Sequence, residues 1–470
     1  MKVKVPRLLL SASHGRSGKT TVVFGLVAAL SLDGLKVQPF KKGPDYIDPG
    51  WLTVAARIPC RNLDPYLMKP EVIIESLASK GSQADISVIE GAMGLFDGLG
   101  DRGEGSTAEL AKITKSPVVL VVNTERMTRS VAPLVNGFVQ FDPELNVVGV
   151  ILNKVANPRH ESKLRKAIAD YCPVPVLGAV PKEKWLELPE RHLGLVPTQE
   201  NSTAQDLRIR AANLIKENVD IPKLLEIARQ QEDLPLSVSA VTKIPADKVR
   251  MGVLKDAAFS FYYPENLEAL ERAGAELVFV DSLKQRALPE VYGLYIGGGF
   301  PEMFAQELEA NQSLRKDIKN LIEKGLPVYA ECGGLMYLTR SIRMHEKTYA
   351  MVGALACDTV FSDKPQAHGY VAMRAGGKSL FYPDGCLVVG HKFHHSRVIN
   401  LDEQQTGLSC SMERGNGITG KLEGLTYKNT FATYTHIHAL STPEWAPALV
   451  EKGRQYKFAV GGSSCRNFEG

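Results

Sequence analysis

The chain has 470 residues, 44% of them hydrophobic and 23% charged, with a formal net charge of +4. At roughly 100–200 residues per domain this length fits a few domains, and the composition excludes global disorder and collagen-like repeats. The charge is too dilute to point to nucleic acid or a membrane surface, and no apolar run approaches the roughly 18–20 residues of a membrane-spanning helix. The apolar stretch after Arg7 is short and runs into a Gly/Ser/Lys turn, so it does not read as a secretory signal. The seven cysteines are an odd number without a Cys-x-x-Cys pair. That argues against a disulfide framework or a thiolate zinc site, and a reduced cytoplasmic setting is expected.

Short β-rich runs at Leu8–Ser11, Ile86–Ile89, Val118–Val122 and Val147–Leu152 alternate with helical patterns such as Thr20–Leu32 and Thr107–Thr114. Strands this apolar, separated by helices, predict a parallel sheet covered on both faces. A polar, proline-punctuated stretch over 217–248, holding a helix at Pro222–Gln230, reads as the connection to a second domain. There the alternation restarts with strands at Met251–Leu254, Glu276–Val280, Gly293–Ile296 and Leu326–Ala330. The expectation is two α/β domains, 1–216 and 249–445. Residues 446–470, with Gly461-Gly462-Ser463-Ser464 and little periodicity, are expected to form a peripheral tail.

In the first domain the strand Leu8–Ser11 leads through Ala12-Ser13-His14-Gly15-Arg16-Ser17-Gly18 into Lys19-Thr20-Thr21 and a helix. In such a P-loop the backbone N–H groups wrap phosphates and the helix dipole adds positive potential. A lysine neutralises charge, and a hydroxyl ligates Mg²⁺. Lys19 and Thr20 fill the last two roles, while Ser13, Gly15, Gly18 and Thr21 belong to the cradle for ATP. Mg²⁺ needs further hard oxygens. Candidates follow the strands Leu35–Phe40 and Ile86–Ile89: Asp45 and Asp48 in Gly43-Pro44-Asp45-Tyr46-Ile47-Asp48-Pro49, and Glu90 and Asp97 in Val88–Gly98. Ligands of open α/β sheets bind at the carboxyl ends of strands, which favours Glu90 and Asp48; Asp97-Gly98 is also ordinary turn chemistry.

In the second domain Pro327-Val328-Tyr329-Ala330-Glu331-Cys332-Gly333-Gly334-Leu335 reads as strand, tight turn and helix. A cysteine on such an elbow is exposed, and a helix N-terminus favours its thiolate. The N–H of Gly333 and the loop Gly297-Gly298-Gly299 are candidate oxyanion donors. Downstream, Tyr434-Thr435-His436-Ile437-His438 offers a histidine to pair with Cys332. A second cluster, His391 and His394-His395, has no cysteine or carboxylate at ligand spacing, so no metal is expected there. A thiolate that attacks an acyl carbon beside an ATP site suggests amide hydrolysis coupled to ATP-driven use of the ammonia.

These stretches, together with Arg61-Asn62-Leu63-Asp64, Gly105-Ser106-Thr107-Ala108, Gly149–Val155, Leu188–Leu195, Asp256–Asn266, Gly297–Glu302 and Gly390–Ser396, resemble the cobyrinic acid a,c-diamide synthase family. Its members are glutamine-dependent amidotransferases of corrinoid biosynthesis, and the likeness covers residues 7–440 in family order. It implies two doubly wound α/β domains: an N-terminal P-loop NTPase of the dethiobiotin-synthetase-like type and a C-terminal class I glutamine amidotransferase, flavodoxin-like in fold. By the same resemblance Cys332 forms a glutamyl thioester and His436 is its base. Lys19, Thr20, Asp48 and Glu90 handle ATP and Mg²⁺, and Asn153 and Lys154 read the nucleotide base. Asp45, Tyr46, Ile47, Asp48 and Asp97 lie near the tetrapyrrole and its reacting carboxylate. Class I glutaminases commonly carry an acid two residues after the histidine; here that place is His438, so the third member is absent or replaced.

Three residues depart from the pattern: Ser13 replaces the first P-loop glycine, Asn123 stands for an expected Asp, and Lys392 stands where Gly-His-x-Phe-His usually has Glu. The last swaps a charge and bears on contact between the two domains. The implied substrates are a tetrapyrrole, ATP and L-glutamine, in a monomer or homodimer. Cobyrinate is the first candidate, nickel-sirohydrochlorin or hydrogenobyrinate the alternatives, and a non-catalytic P-loop switch the remote one.

Overall fold

A computed structural model of the chain describes residues 1–183, 190–191, 194–195, 204–236, 247–377 and 379–465. They divide into two units, Met1–Ser239 and Ala240–Gly470.

The first unit is built on seven strands: β1 (Arg7–Ala12), β2 (Val37–Lys42), β3 (Arg61–Leu63), β4 (Ile86–Glu90), β5 (Val118–Asn123), β6 (Val147–Val155) and β7 (Val176–Pro181). All pair in parallel, in the order β3-β2-β4-β1-β5-β6-β7. Their continuous burial fits helices on both faces. The helices used below are α1 (Lys19–Leu32), α2 (Ile47–Ala56), α3 (Val131–Gln140), α4 (Ala204–Asn218) and α5 (Ile221–Arg229). Leu8, Leu10, Val23, Val27, Trp51, Val88, Val119, Ile215 and Leu224 share one core.

The expected connection over 217–248 is instead largely part of this unit. Leu224 and Ala228 of α5 are buried in that core. Leu234–Pro235 pairs antiparallel with Lys2–Val3. The buried guanidinium of Arg7 donates to the carbonyls of Thr114 (2.9 Å), Lys115 (3.1 Å) and Glu232 (2.8 Å). Burial lowers its pKa to about 10, opposed by Glu232 and Asp233. Polarity and prolines mark the segment's surface; this one arginine and two apolar residues decide where it packs. Residues 237–246, and all of Leu188–Leu195 except 190–191 and 194–195, lie outside the described residues.

The second unit opens with β8 (Val249–Leu254), α6 (Pro264–Arg272), β9 (Ala275–Val280), β10 (Gly293–Ile296), α7 (Gln312–Glu323), β11 (Val328–Glu331) and α8 (Gly333–Leu338). Then follow β12 (Ala367–Ala375), β13 (Leu387–His394), β14 (Gly407–Arg414), β15 (Leu422–Tyr427), β16 (Thr430–Thr433), β17 (His436–Ile437) and α9 (Trp445–Cys465). The sheet order is β9-β8-β10-β11-β16-β15-β14-β12-β13-β17. Its parallel part, β9-β8-β10-β11-β16, is the 2-1-3-4-5 order of flavodoxin-like folds. The antiparallel part ends on β17, which follows β16 after two residues yet pairs with β13 at the other edge. His436 therefore arrives beside β11 by chain continuity and is held from the far edge.

The expected tail is a helix. Trp445, Leu449 and Val450 of α9 are buried, and Trp445 packs edge-on against Tyr295 and Tyr329, each at 5.1 Å between ring centroids. Residues 466–470 lie outside the described residues.

Candidate functional site

In the first unit β1 delivers the P-loop, which enters α1 through Gly18 at φ 78°. Glycine is required there twice over, since a Cβ at Gly18 would also overlap the Asn153 side chain. Ser17 Oγ donates to the His14 carbonyl at 2.7 Å, and Asn153 Nδ2 donates to the Ser17 carbonyl at 2.9 Å. Asn153, expected to face the nucleotide base, is thus a buried brace under the loop. Ser13, the departure from glycine, has a buried hydroxyl without a hydrogen-bond partner, and so does Ser11.

Behind the loop lies a dense charge cluster. Glu90, fully buried at the end of β4, accepts from Thr20 Oγ1 at 2.6 Å and pairs with Lys19 Nζ at 3.2 Å. Thr20 Oγ1 also lies 3.4 Å from Asp48 Oδ2. At the centre sits Lys41, a residue that sequence reasoning missed. Its Nζ is 2.5 Å from Asp48, 3.2 Å from Glu90 and 3.7 Å from Asp45. The signal was a lysine on a buried strand, a charge that needs partners.

Burial lowers the Lys19 pKa, aided by Lys41 and opposed by Glu90. For Lys41 burial also lowers it, but Asp48, Glu90 and Asp45 together prevail and raise it. Burial would raise Asp48, yet Lys41 and Lys19 hold it below the carboxylate range. Asp45, half-buried beside the Asp48 charge, is pushed up to about 7 by desolvation and that charge. Its Oδ1 receives the N–H groups of Ile47 (2.8 Å) and Asp48 (3.2 Å), fixing the start of α2.

The other expected residues fall around this centre. Tyr46 precedes α2, and Ile47 packs on the core. Asp97 is exposed, and its Oδ2 closes a turn on the Gly94 N–H at 2.8 Å. Lys154 pairs with Glu125 at 3.3 Å. Asn123 Oδ1 accepts from the Glu125 N–H at 3.0 Å, a contact within its own loop.

Glu90 Oε2 is buried without a hydrogen-bond partner. Among the described residues no three His, Cys, Asp or Glu side chains are grouped to hold a metal ion alone. Two carboxylates and the Thr20 hydroxyl fit a cation that takes its remaining oxygens from phosphates and water, as Mg²⁺ does.

In the second unit β11 ends in a strained elbow. Cys332 has φ 48° and ψ −98°, a region that residues with a Cβ avoid unless held. Its N–H donates to the Thr433 carbonyl at 2.7 Å, and the Gly334 N–H donates to the Gly297 carbonyl at 3.1 Å. Cys332 is 6% exposed, so the nucleophile expected to be exposed on an open elbow is buried. The helix after it, α8, is only six residues long and offers a weak dipole.

The charge partner is a side chain. His436 is hydrogen-bonded to Cys332, and its Nδ1 lies 3.3 Å from Glu331 Oε2. Burial alone would lower the His436 pKa, but the Cys332 thiolate, then Glu331, raise it to about 9. A Cβ on Gly298 would lie 2.5 Å from His436 Cε1, so only glycine lets this loop close on the ring. The Gly299 nitrogen lies 3.1 Å from the position a Cβ on Gly333 would take, bringing the two expected oxyanion loops together.

His438 is fully buried, its ring tilted against Tyr263 at 4.6 Å between centroids, and has Nε2 3.6 Å from Glu265. The second histidine cluster is part of this wall: the His391 ring stacks on His436 at 5.0 Å and pairs with it in register. Burial, then His436, lowers its pKa well below the usual value, so it stays neutral. Lys392 Nζ donates to the Asn416 carbonyl at 2.9 Å. The side chain is 2% exposed and pairs with the fully buried Glu423.

Residues 8–196 match the family model described as the CobQ/CobB/MinD/ParA nucleotide binding domain, and 250–444 the CobB/CobQ-like glutamine amidotransferase domain. Three curated proteins, each named cobyrinate a,c-diamide synthase, are similar along nearly their whole length. The one from Magnetococcus marinus is 43% identical over 97% of this chain and 98% of its own. That from Archaeoglobus fulgidus is 41% identical (97% and 99%), and that from Methanosarcina barkeri 40% (96% and 97%). No helix among the described residues is long and apolar enough to cross a membrane.

Proposed function

The chain belongs to the cobyrinate a,c-diamide synthase family, and from that premise we propose that it amidates the a and c acetate carboxylates of cobyrinate in cobalamin biosynthesis. ATP drives each step and glutamine supplies the ammonia. The observation that carries this reading is the pairing of Cys332, on its elbow, with His436 in a chain whose other unit holds a P-loop over a carboxylate cluster.

The Cys332 thiolate attacks the carboxamide carbon of glutamine, and the oxyanion is met by N–H groups of the Gly298–Gly299 loop and Gly333. As the intermediate collapses, the C–N bond breaks and His436 gives its proton to the departing ammonia. Water, deprotonated by His436, then cleaves the thioester to glutamate and free thiol.

In the other unit an acetate oxygen attacks the γ-phosphorus of ATP, forming an acyl phosphate and ADP. Ammonia attacks the acyl carbon, and phosphate leaves. Lys19 neutralises phosphate charge, and Lys41 holds Asp48 and Glu90 in place. Thr20, Asp48 and Glu90 would hold Mg²⁺, which supplies charge neutralisation at the phosphates when bound. Asp45 and Tyr46 stand beside this cluster, on the side proposed for the acetate.

The test is mass spectrometry of products from cobyrinate, hydrogenobyrinate and nickel-sirohydrochlorin, each with ATP and glutamine. Two successive exchanges of a carboxyl hydroxyl for an amino group on cobyrinate are expected. Conversion of another tetrapyrrole instead reassigns the substrate, and no conversion of any of them refutes the reading.

A further inference from the structure

Glu331 is a charge placed where charges are costly. It ends the apolar run Val328-Tyr329-Ala330, immediately before Cys332, and is fully buried. A buried carboxylate needs a cation or strong donors. Among the described residues no lysine or arginine pairs with it. Its partners are His436 Nδ1 at 3.3 Å, the Ile437 N–H at 3.4 Å and the Tyr295 hydroxyl at 3.5 Å.

The other titratable groups around it are Tyr262, Tyr329 and Tyr382. Burial raises all of them, and Tyr295, well above the usual phenol range, so they stay neutral. Around His436 stand Cys332 on the elbow and His391 and His394 on β13. Burial lowers both of these histidines, His394 to about 3. The charges that act on the His436 imidazolium are therefore the thiolate on one side and Glu331 on the other. His438, at the usual position of the third member, is turned to Tyr263 and Glu265.

We infer that Glu331 is the positioning residue of the cysteine–histidine pair, an acid supplied by the residue before the nucleophile and not from beyond the base. Its carboxylate accepts the Nδ1–H of His436, which fixes the tautomer and turns Nε2 to the thiol. Trp445 of α9 packs on Tyr295, whose hydroxyl is one of the acid's partners. The inference rests on Cys332 being the nucleophile.

Glu331→Gln keeps the shape and removes the charge. Glutamine-dependent kcat/KM is expected to fall about a hundredfold. The alkaline limb of its pH profile, where the imidazolium loses its proton, moves down by about one unit because a stabilising anion is gone. Glu331→Asp restores part of both. A cooperatively melting Glu331→Gln with an unchanged rate and limb overturns the inference.

Where Glu331→Gln does not melt cooperatively, ¹⁵N spectra of the unaltered full chain decide. A neutral His436 protonated on Nδ1 supports the inference, and one protonated on Nε2 overturns it. Cys332→Ser separates the two levels. If that variant keeps glutamine-dependent activity, the nucleophile is wrong. If it is inactive with glutamine while Glu331→Gln is normal, only the acid is wrong.

Discussion

The P-loop after β1 and the elbow after β11 are the same device used twice: a buried parallel strand, a tight turn and a helix at the carboxyl edge of a doubly wound sheet. Their surroundings are opposite. Around the P-loop, Lys19 and Lys41 stand against Asp45, Asp48 and Glu90, a ready-made charge set that phosphates can enter. Around the elbow no lysine or arginine pairs with Glu331 among the described residues; its neighbours are neutral tyrosines, and His391 and His394 beside His436 are neutral too. Positive charge appears there by protonating His436 against the thiolate. Topology fixes where a ligand binds, and the charge inventory of the strand ends fixes what chemistry it meets.

The contrast breaks most sharply at Lys41. Lys41→Met leaves Asp48 and Glu90 with Lys19 as their shared cation. Amidation with glutamine and with free ammonia should fall together, by about a hundredfold, since both draw on the same activated carboxylate. Loss of the glutamine-dependent rate alone would place Lys41's influence in the wrong half.

At Lys392, in the second unit, the expected effect is on stability and leaves the division of chemistry intact. Its pair with Glu423 is buried, and Glu423 Oε1 also receives Thr433 Oγ1 (2.9 Å) and the Tyr434 N–H (3.1 Å). Those residues carry the chain from β16 towards His436. Lys392→Met should destabilise this unit by about 3–5 kcal/mol, by leaving a buried carboxylate unpaired. Adding Glu423→Gln should recover most of that. Thermal melts of the two variants check it, and a single variant that melts like the parent contradicts it.

Alternating apolar runs and helical periods carried the parallel strands of both sheets, because buried strands must be apolar throughout. The two turns were legible through Gly18-Lys19-Thr20 and Cys332-Gly333-Gly334, where backbone geometry restricts the residue. What the sequence hid depends on long-range closure. Nothing local says that β17 pairs with β13, that Arg7 ties Glu232 to the first unit, or that Trp445 starts a packed helix. Lys41, Glu331 and Lys392 belong to the same class. Each is a charge inside an apolar strand, visible as an anomaly, with a partner between 7 and 105 positions away that only the fold supplies. Asp97 is the converse, a legible acid that the fold spends on closing its own turn.

The central claim is that the two sites divide the reaction, nitrogen released at Cys332 and carboxylate activated behind the P-loop. It is tested most directly by assaying Cys332→Ser with glutamine and with ammonium as alternative nitrogen donors, at saturating ATP and cobyrinate. The account predicts that the glutamine-dependent rate falls by at least about a thousandfold while the ammonium-dependent rate stays near that of the parent. A variant that still uses glutamine, or one that loses both donors while remaining folded, would contradict it.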